Sequence, residues 1–396
     1  MRGTVLKRGD NWSIKYELPR GANGERRSKM QVGGRTKREA QAALTKVLAE
    51  IDQGTYSEPV RETMAQFMDR WLKDCAPGRV SERTLFRYAE LNRVHILPAL
   101  GGIAVQSLRA PHLQALYADR LERGRVDGHG GLSPQSVLHI HRLLHEVLEQ
   151  AVRWRVLSRN PADDVDPPRV RRQEMKTWNA EQITVALEAA EGQWIYLPIL
   201  LALTTGMRSG EILALQWGDV DFNRASLVCR RSACAVNNRA STPVIYKQPK
   251  SGHGRKITLP SSLVEALLAQ QSKQQKECAL LGREPLSTDF VTGDPDGSGL
   301  APHELTGRFR RFLRAAGKDA ALPVVRFHDL RHSHATLLLT IDTNPKVVSE
   351  RLGHSDVRLT LNTYSHVLPA MQDEAAKKLE PFFRKAPKPI RLESAG

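Results

Sequence analysis

The residues in this chain most suited to chemistry lie in its second half and are mostly cationic or imidazole-bearing. In TTGMRSGEILALQWGDVDF, Arg208 and Glu211 are three apart and share one side of a helix turn, anchored by Ile212, Leu213 and Leu215. Such a carboxylate can fix a guanidinium and leave its other donors for an anion, or the pair can be an ordinary surface salt bridge. Lys250 follows in QPKSGHG, a Gly-containing hairpin from which a lysine reaches a substrate or simply points into water. In RFHDLRHSHATLLLT, His328 and Arg331 are three apart on an amphipathic helix, with Ala335, Leu338 and Leu339 toward a core. His328, His332 and His334 do not have the spacing of a zinc-binding HExxH, and an arginine among them would repel a dication. A fixed Arg beside His suits a phosphate-like substrate instead. His354 and Tyr364 lie ten apart in SERLGHSDVRLTLNTYSHV, where Leu352-Gly353 ends one helix and another starts near Asp356. A lone tyrosine is usually a packing residue.

These residues need elements to hold them, and the 396-residue length predicts two or three domains. Residues 4–34 read as a small sheet: Trp12 to Leu18 alternates with period two, Pro19 to Gly24 turns, and Ser28 to Val32 returns. Thr36-Lys37-Arg38-Glu39 makes a capping box for a helix with an Ala40, Ala43, Leu44, Val47, Leu48, Ile51 stripe, stopped by Gly54. Lys15, Arg26, Arg27 and Lys29 make the sheet basic; it could enter a DNA major groove or meet a protein. Residues 61–157 read as four helices: Thr63 to Lys73, Ser81 toward His95 with a break over Pro98-Ala99-Leu100-Gly101-Gly102, Ala110 to Arg123, and Ser133 through Val156. His139, His141 and His145 cluster on the last, but no acidic or Cys partner is spaced to complete a metal site. Residues 160–177 have a linker's Pro-rich, charged composition. Beyond it come helices from Asn179 and over Ile195 to Leu203, then strands over Ala225 to Arg231, Thr242 to Lys247 and Arg255 to Leu259.

Bulk composition narrows the class. The net charge is +16; residues 1–55 hold 12 Lys+Arg against 6 Asp+Glu, residues 56–168 are near balance at 15 against 14, and the rest of the excess falls beyond. Such a surface favours polyanions. Four scattered cysteines argue against a disulfide framework or zinc knuckle. No run of 18 apolar residues and no secretory signal pattern is present, so the expectation is a soluble cytoplasmic protein.

The order Arg208, Lys250, His328, Arg331, His354, Tyr364, with TTGMRSGEILAL, HDLRHSHATLLL and LGHSDVRLTLNTYSHV around it, resembles the tyrosine recombinase family and specifically its phage-type integrases. The resemblance implies a multidomain, mainly α fold. Residues 1–55 would be a small αβ arm-type DNA-binding domain, a three-stranded sheet plus helix. Residues 61–160 would be a SAM-like helical core-binding domain and 161–177 a linker. Residues 178–383 would be an α+β catalytic domain ending in a docking helix (about Ala370 to Phe383, with contacts from Ala375, Leu379, Phe382 and Phe383), and 384–396 a disordered tail.

It also implies a site-specific recombinase that cleaves and rejoins double-stranded DNA through a 3′-phosphotyrosine, integrating and excising a mobile element without metal or other cofactor. Tyr364 would be the nucleophile and Arg208 and Arg331 the clamp on the non-bridging oxygens, with Glu211 bracing Arg208. Lys250 would protonate the leaving 5′-oxygen, His328 would help move the tyrosine proton, and His354 would bond the phosphate. Partners implied are attachment-site DNA, three further copies in a homotetramer joined through the C-terminal helix, a DNA-bending protein and an excisionase. The alternatives are a type IB topoisomerase, disfavoured by the N-terminal module and the LGHS context, and a catalytically silent DNA-binding regulator. A chromosome-dimer-resolving recombinase would lack the N-terminal module.

Overall fold

The computed structural model describes residues 3–18, 25–53, 62–171, 175–237, 243–248, 254–319, 322–364, 376–377 and 379–383. Lys250, Ala375 and the 384–396 tail lie outside the described residues. The fold is multidomain and mainly helical with small antiparallel sheets, and the chain divides into two compact units, 1–171 and 172–396.

The first unit opens with β1 (Gly3–Arg8), β2 (Asn11–Leu18) and β3 (Arg27–Gly34), paired in that order as an antiparallel sheet. The alternation in β2 buries Ile14 and Tyr16 with Ala40, Leu44 and Ile51 of α1 (Lys37–Asp52). The expected capping box is present: the Glu39 amide donates to Thr36 Oγ1 at 3.2 Å, and the Thr36 amide donates back to Glu39 Oε2 at 3.4 Å.

Next come α2 (Met64–Arg70), α3 (Glu82–Leu91), α4 (Leu97–Leu100), α5 (Ala110–Arg123) and α6 (Pro134–Arg153). They share one core built on Phe67, Trp71, Tyr117, Ile140, Leu144 and Val147. Two details differ from the sequence expectation. A π-type turn, Asn92–Ile96, carries the chain from α3 into α4, so the helical run continues past Pro98 and stops at Leu100, inside the expected Pro98 to Gly102 break. Ala162 and Val165, inside the stretch read as linker, are buried in this core. Asn160 fastens that stretch by donating to the His145 carbonyl at 3.1 Å and accepting from the Ala162 amide at 3.0 Å.

The second unit begins on a buried anchor, Trp178, whose amide donates to Ser333 Oγ (2.9 Å) and whose indole donates to the Pro323 carbonyl (3.1 Å). It continues through α7 (Ala180–Ala190), α8 (Tyr196–Thr205) and α9 (Ser209–Leu213). Two small sheets follow: β4 (Val220–Asp221), β5 (Ser226–Cys229) and β8 (Arg255–Thr258) in the order 4-5-8, and β6 (Ser232–Ala235) with β7 (Val244–Lys247). The strand expected over Ala225 to Arg231 is β5, ending at Cys229, and β6 is a further short strand beyond it that pairs with β7. Helices α10 (Ser261–Leu280), α11 (Pro302–Asp319), α12 (Asp329–Thr340), α13 (Pro345–Leu352) and α14 (Val357–Tyr364) complete the unit. Helix α8 is apolar on all sides because it runs through the middle of the main core. A smaller core, Ala335, Leu339, Val348, Leu352 and Tyr364, ties α12, α13 and α14 together.

Candidate active site

Arg208 stands at the N-cap of α9, and Glu211 occupies the third position of that helix. The Arg208 amide donates to Glu211 Oε2 (2.9 Å) and its Nη1 donates to Oε1 (2.8 Å), so one carboxylate caps the helix and orients the guanidinium. This is the bracing expected of Glu211. The same carboxylate also takes a two-pronged contact from Arg255, the first residue of β8: Nη1 to Oε1 at 3.0 Å and Nη2 to Oε2 at 2.7 Å. Burial alone would push the Glu211 carboxyl up, but the hydrogen bonds and charge of Arg255, with Arg208 added, hold it down at about 2.

A second set of acceptors comes from the end of α13. The Arg351 carbonyl receives Arg255 Nε (2.8 Å), the Leu352 carbonyl receives Arg331 Nη2 (2.6 Å), and the Gly353 carbonyl faces Arg208 Nη2 at 3.5 Å. The last carbonyls of a helix lack intrahelical partners and lie at the negative end of its dipole, so they attract guanidinium groups. Arg331 Nη1 donates to the Gly206 carbonyl at the end of α8 (2.6 Å). Both Gly206 (φ 67°) and Gly353 (φ 64°) turn into the left-handed region. A Cβ at Gly206 would lie 2.7 Å from His334 and Leu352 side-chain atoms, and one at Gly353 would meet the Arg255 side chain at 2.9 Å. Glycine is required at both for backbone conformation and for space.

The charges do not balance. Arg208 and Arg255 share the Glu211 carboxylate, while Arg331, 3% exposed, donates to two backbone carbonyls. Burial first, and the repulsion of Arg208 second, push the Arg331 guanidinium down to about 9. Arg208 keeps 35% of its side chain open. Buried positive charge without a full counter-charge is costly, so this excess of guanidinium favours an anion.

The imidazoles and the phenol adjoin this cluster. His328 is exposed at the N-cap position of α12; desolvation and then the charge of Arg331 hold it below the ordinary imidazole range. His354 directly follows Gly353, with Nδ1 2.8 Å from Thr360 Oγ1. Burial, then Arg331 and Arg208, hold it at about 4, so it is neutral at pH 7. Tyr364, the last residue of α14, is 1% exposed, and burial pushes its phenol up to about 12 against the pull of Arg331. Its oxygen lies 2.7 Å from His332 Nδ1, and the His332 ring meets His328 edge to face at 5.3 Å.

Arg208, His328, Arg331, His354 and Tyr364 therefore share one neighbourhood, with Lys250 outside the described residues. Sequence reasoning missed Arg255 and His332. His332 had a signal: it is four residues after His328, which puts both on one helix face. The other sequence candidates lie elsewhere. Register places Lys15 on the open face of the first sheet beside Met30, while Lys29 pairs with Tyr16 and Arg27 with Leu18, on the side facing α1; Arg26 is exposed just before β3. His141 contacts Tyr117 Oη (3.1 Å), His145 contacts Asp163 (2.9 Å) and His139 contacts Gln135 (3.2 Å). Among the described residues no group of three or more His, Cys, Asp or Glu could hold a metal ion.

A model of the phage integrase family matches residues 173–371, and a model of the phage integrase N-terminal SAM-like domain matches residues 63–121. The chain belongs to the phage integrase family. A tyrosine recombinase XerC-like protein of Caldanaerobacter subterraneus is 27% identical over 368 residues, 88% of this chain and 91% of the relative. An integrase of Saccharopolyspora erythraea is 23% identical over 435 residues, 96% and 97% of the two chains. The Tn1549 transposon integrase, solved with circular-intermediate DNA, shares the fold with a TM-score of 0.66 at 22% identity, over 81% of this chain and 99% of that one. A lambda integrase dimer bound to a core site gives 0.56 at 17% identity, over 98% and 97%. This integrase is a site-specific DNA recombinase, an enzyme that breaks and rejoins DNA strands. Among its described residues no helix is long and apolar enough to cross a membrane.

The Glu211 carboxyl is held below the roughly 4.3 of an unfolded glutamate, so its stabilisation is complete above that pH and is lost as pH falls toward about 2. Glu211→Gln, which leaves Arg255 buried against a neutral partner, should cost about 3–5 kcal/mol at pH 7. Urea unfolding at pH 7 and pH 3 should show that deficit shrinking in acid, and a deficit independent of pH would contradict the ion-pair account.

Proposed function

We propose that this integrase cleaves DNA with Tyr364 as nucleophile, at a scissile phosphate held by Arg208 and Arg331. The observation that carries the reading is the unbalanced charge: three guanidiniums around one carboxylate, beside a tyrosine, at the surface where Arg208 is open. A phosphodiester would balance this charge, and fixed donors stabilise the charge that grows on its non-bridging oxygens.

In the proposed step the Tyr364 oxygen forms a bond to phosphorus as the bond from phosphorus to the 5′-oxygen breaks. The product is a 3′-phosphotyrosine that keeps the energy of the phosphodiester, so no nucleotide is consumed. The tyrosine proton leaves toward the imidazoles, with His328 at the mouth of the cleft, and Lys250 gives a proton to the departing 5′-oxygen. With the Thr360 hydroxyl donating to Nδ1 of His354, the proton of that neutral ring rests on Nε2 as a donor for a phosphate oxygen. Attack by a 5′-hydroxyl of a partner strand reverses the chemistry and completes strand exchange.

The remaining roles belong to the same proposal. Residues 1–55 would bind arm sites and 61–160 core sites, while 178–383 would carry out the chemistry. The protein would work in the cytoplasm as a homotetramer on attachment-site DNA, aided by a DNA-bending protein and an excisionase. Leu379, Phe382 and Phe383, exposed near the C-terminal end, suit a helix that docks on a neighbouring subunit. Lambda integrase, solved as a tetramer bound to a Holliday junction, is consistent with this assembly.

Tyr364→Phe should bind attachment-site DNA with wild-type affinity yet form no SDS-stable adduct on a nicked substrate; a trapped adduct would sink the assignment. Deleting residues 1–55 should leave cleavage of an isolated core site within about twofold but reduce integration at a full attachment site by at least tenfold, on the order of one lost binding module. Undiminished integration by the truncated protein would remove the arm-binding role.

A further inference from the structure

We infer that Arg255 is a positioning residue: it holds the Glu211 carboxylate in the pose from which Glu211 aims Arg208, and it meets no DNA itself. The inference rests on the proposed reading of Arg208 as a ligand of the scissile phosphate and concerns what keeps that arginine in place.

The guanidiniums of the cluster are not equivalent. Arg208 keeps 35% of its side chain open and makes one short side-chain contact, Nη1 to Glu211 Oε1 at 2.8 Å. Its Nη2 lies 3.5 Å from the Gly353 carbonyl, at the limit of a hydrogen bond, so donors remain for a substrate. Arg255 faces inward. Its side chain is 11% exposed, with Nε on the Arg351 carbonyl (2.8 Å) and Nη1 and Nη2 on the two oxygens of Glu211 (3.0 and 2.7 Å). A guanidinium whose every nitrogen already has a protein acceptor offers little to a phosphate.

The purpose of this hold follows from α9. A helix of five residues cannot keep a fixed pose by its own hydrogen bonds, because the first turn costs more order than it returns. Arg208 and Glu211 therefore need an outside anchor. Arg255 supplies one from β8, where it pairs with Cys229 of β5 and the sheet sets its backbone. Its planar fork grips both carboxylate oxygens, which fixes the rotation of the carboxylate as well as its place. The Nε contact ties the same side chain to the end of α13, where the next carbonyl, that of Leu352, holds Arg331. One residue thus keeps Arg208 and Arg331 in register with each other.

The same contact governs the charge of Glu211. Burial pushes this carboxyl up, and Arg255 outweighs the burial ahead of Arg208. Arg331 on α12 adds positive charge from another side, while the Cys229 thiol on β5, pushed up to about 12 by burial, stays neutral at pH 7. Removing Arg255 takes away the largest downward pull and leaves the burial, so Glu211 takes up a proton at a higher pH than in the wild type. The brace on Arg208 is then present above that raised value and is lost as pH falls through it.

The test is single-turnover formation of the covalent adduct by the full-length protein on a nicked substrate at saturating DNA, from about pH 8 down to about pH 5.5, each rate taken as a ratio to wild type. Arg255→Met keeps the apolar bulk and drops every donor. It should slow adduct formation about ten- to a hundredfold at the upper pH with DNA affinity within about twofold, and the deficit should deepen by about threefold or more in acid. Arg255→Lys keeps one charge beside Glu211 but cannot bond both its oxygens and the Arg351 carbonyl in one plane. Its deficit should be about three- to tenfold and the same at every pH. Wild-type rates in Arg255→Met, or a deficit there that stays constant across pH, would overturn the inference and leave the phosphate clamp standing. Should the methionine variant not fold, a wild-type rate in Arg255→Lys overturns it alone. Undiminished adduct formation by Arg208→Ala in the same assay would instead overturn the clamp, and this inference with it.

Discussion

The second unit depends on the three carbonyls that end α13. Arg351, Leu352 and Gly353 present their oxygens to Arg255, Arg331 and Arg208, side chains drawn from three separate stretches of sequence. A helix C-terminus is a modest negative pole that needs hydrogen-bond donors in any case, and arginine supplies five in a fixed plane. Glu211 adds the one full negative charge and divides it between Arg208 and Arg255. The guanidiniums are therefore oriented before any substrate arrives, and orientation fixed in advance is where electrostatic catalysis gets its strength. They are also left short of negative charge, so the same network that orders the site makes it receptive to an anion.

Tyr364, the proposed nucleophile, is positioned by a different kind of force. Tyr364 belongs to a small apolar core shared by α12, α13 and α14, and its hydroxyl is satisfied inside that core. The arginine network and this core meet at Leu352, whose side chain packs with Tyr364 while its carbonyl holds Arg331. Packing around one residue thus links the arginine cluster proposed to clamp the phosphate to the tyrosine proposed to attack it. Low imidazole basicity fits this arrangement: burial and nearby guanidiniums hold His332 and His354 at about 4, keeping them neutral at pH 7 while no anion is bound.

Much of this was legible in the sequence. Residue types in order at 208, 328, 331, 354 and 364, and the three-residue spacing of Arg208 and Glu211, marked the cluster and its brace because helical spacing fixes which side chains face together. The capping box at Thr36 and the alternation in Trp12 to Leu18 marked the first module for the same local reason. Arg255 was not legible, because at the start of an alternating strand it reads as a solvated residue, and only the crossing of β8 with α9 and α13 shows its partners. His332 was read only as an unsuitable zinc ligand; its bond to a residue 32 positions away is a product of tertiary packing. The burial of Ala162 and Val165 was hidden by the Pro and Asp around them, which dominate a composition-based reading.

The central claim, that the guanidinium cluster is built for the charge of a phosphate, is tested most directly by removing that charge from the DNA. Cleavage by wild type and by Arg331→Ala should be compared on a scissile phosphodiester and on a neutral methylphosphonate at the same position. The account predicts that Arg331→Ala loses about 10²- to 10³-fold on the phosphodiester, the usual cost of a missing oxyanion donor, and no more than about tenfold on the methylphosphonate. An equal loss on both substrates would contradict it, because the arginine would then be holding the fold together and not meeting the charge.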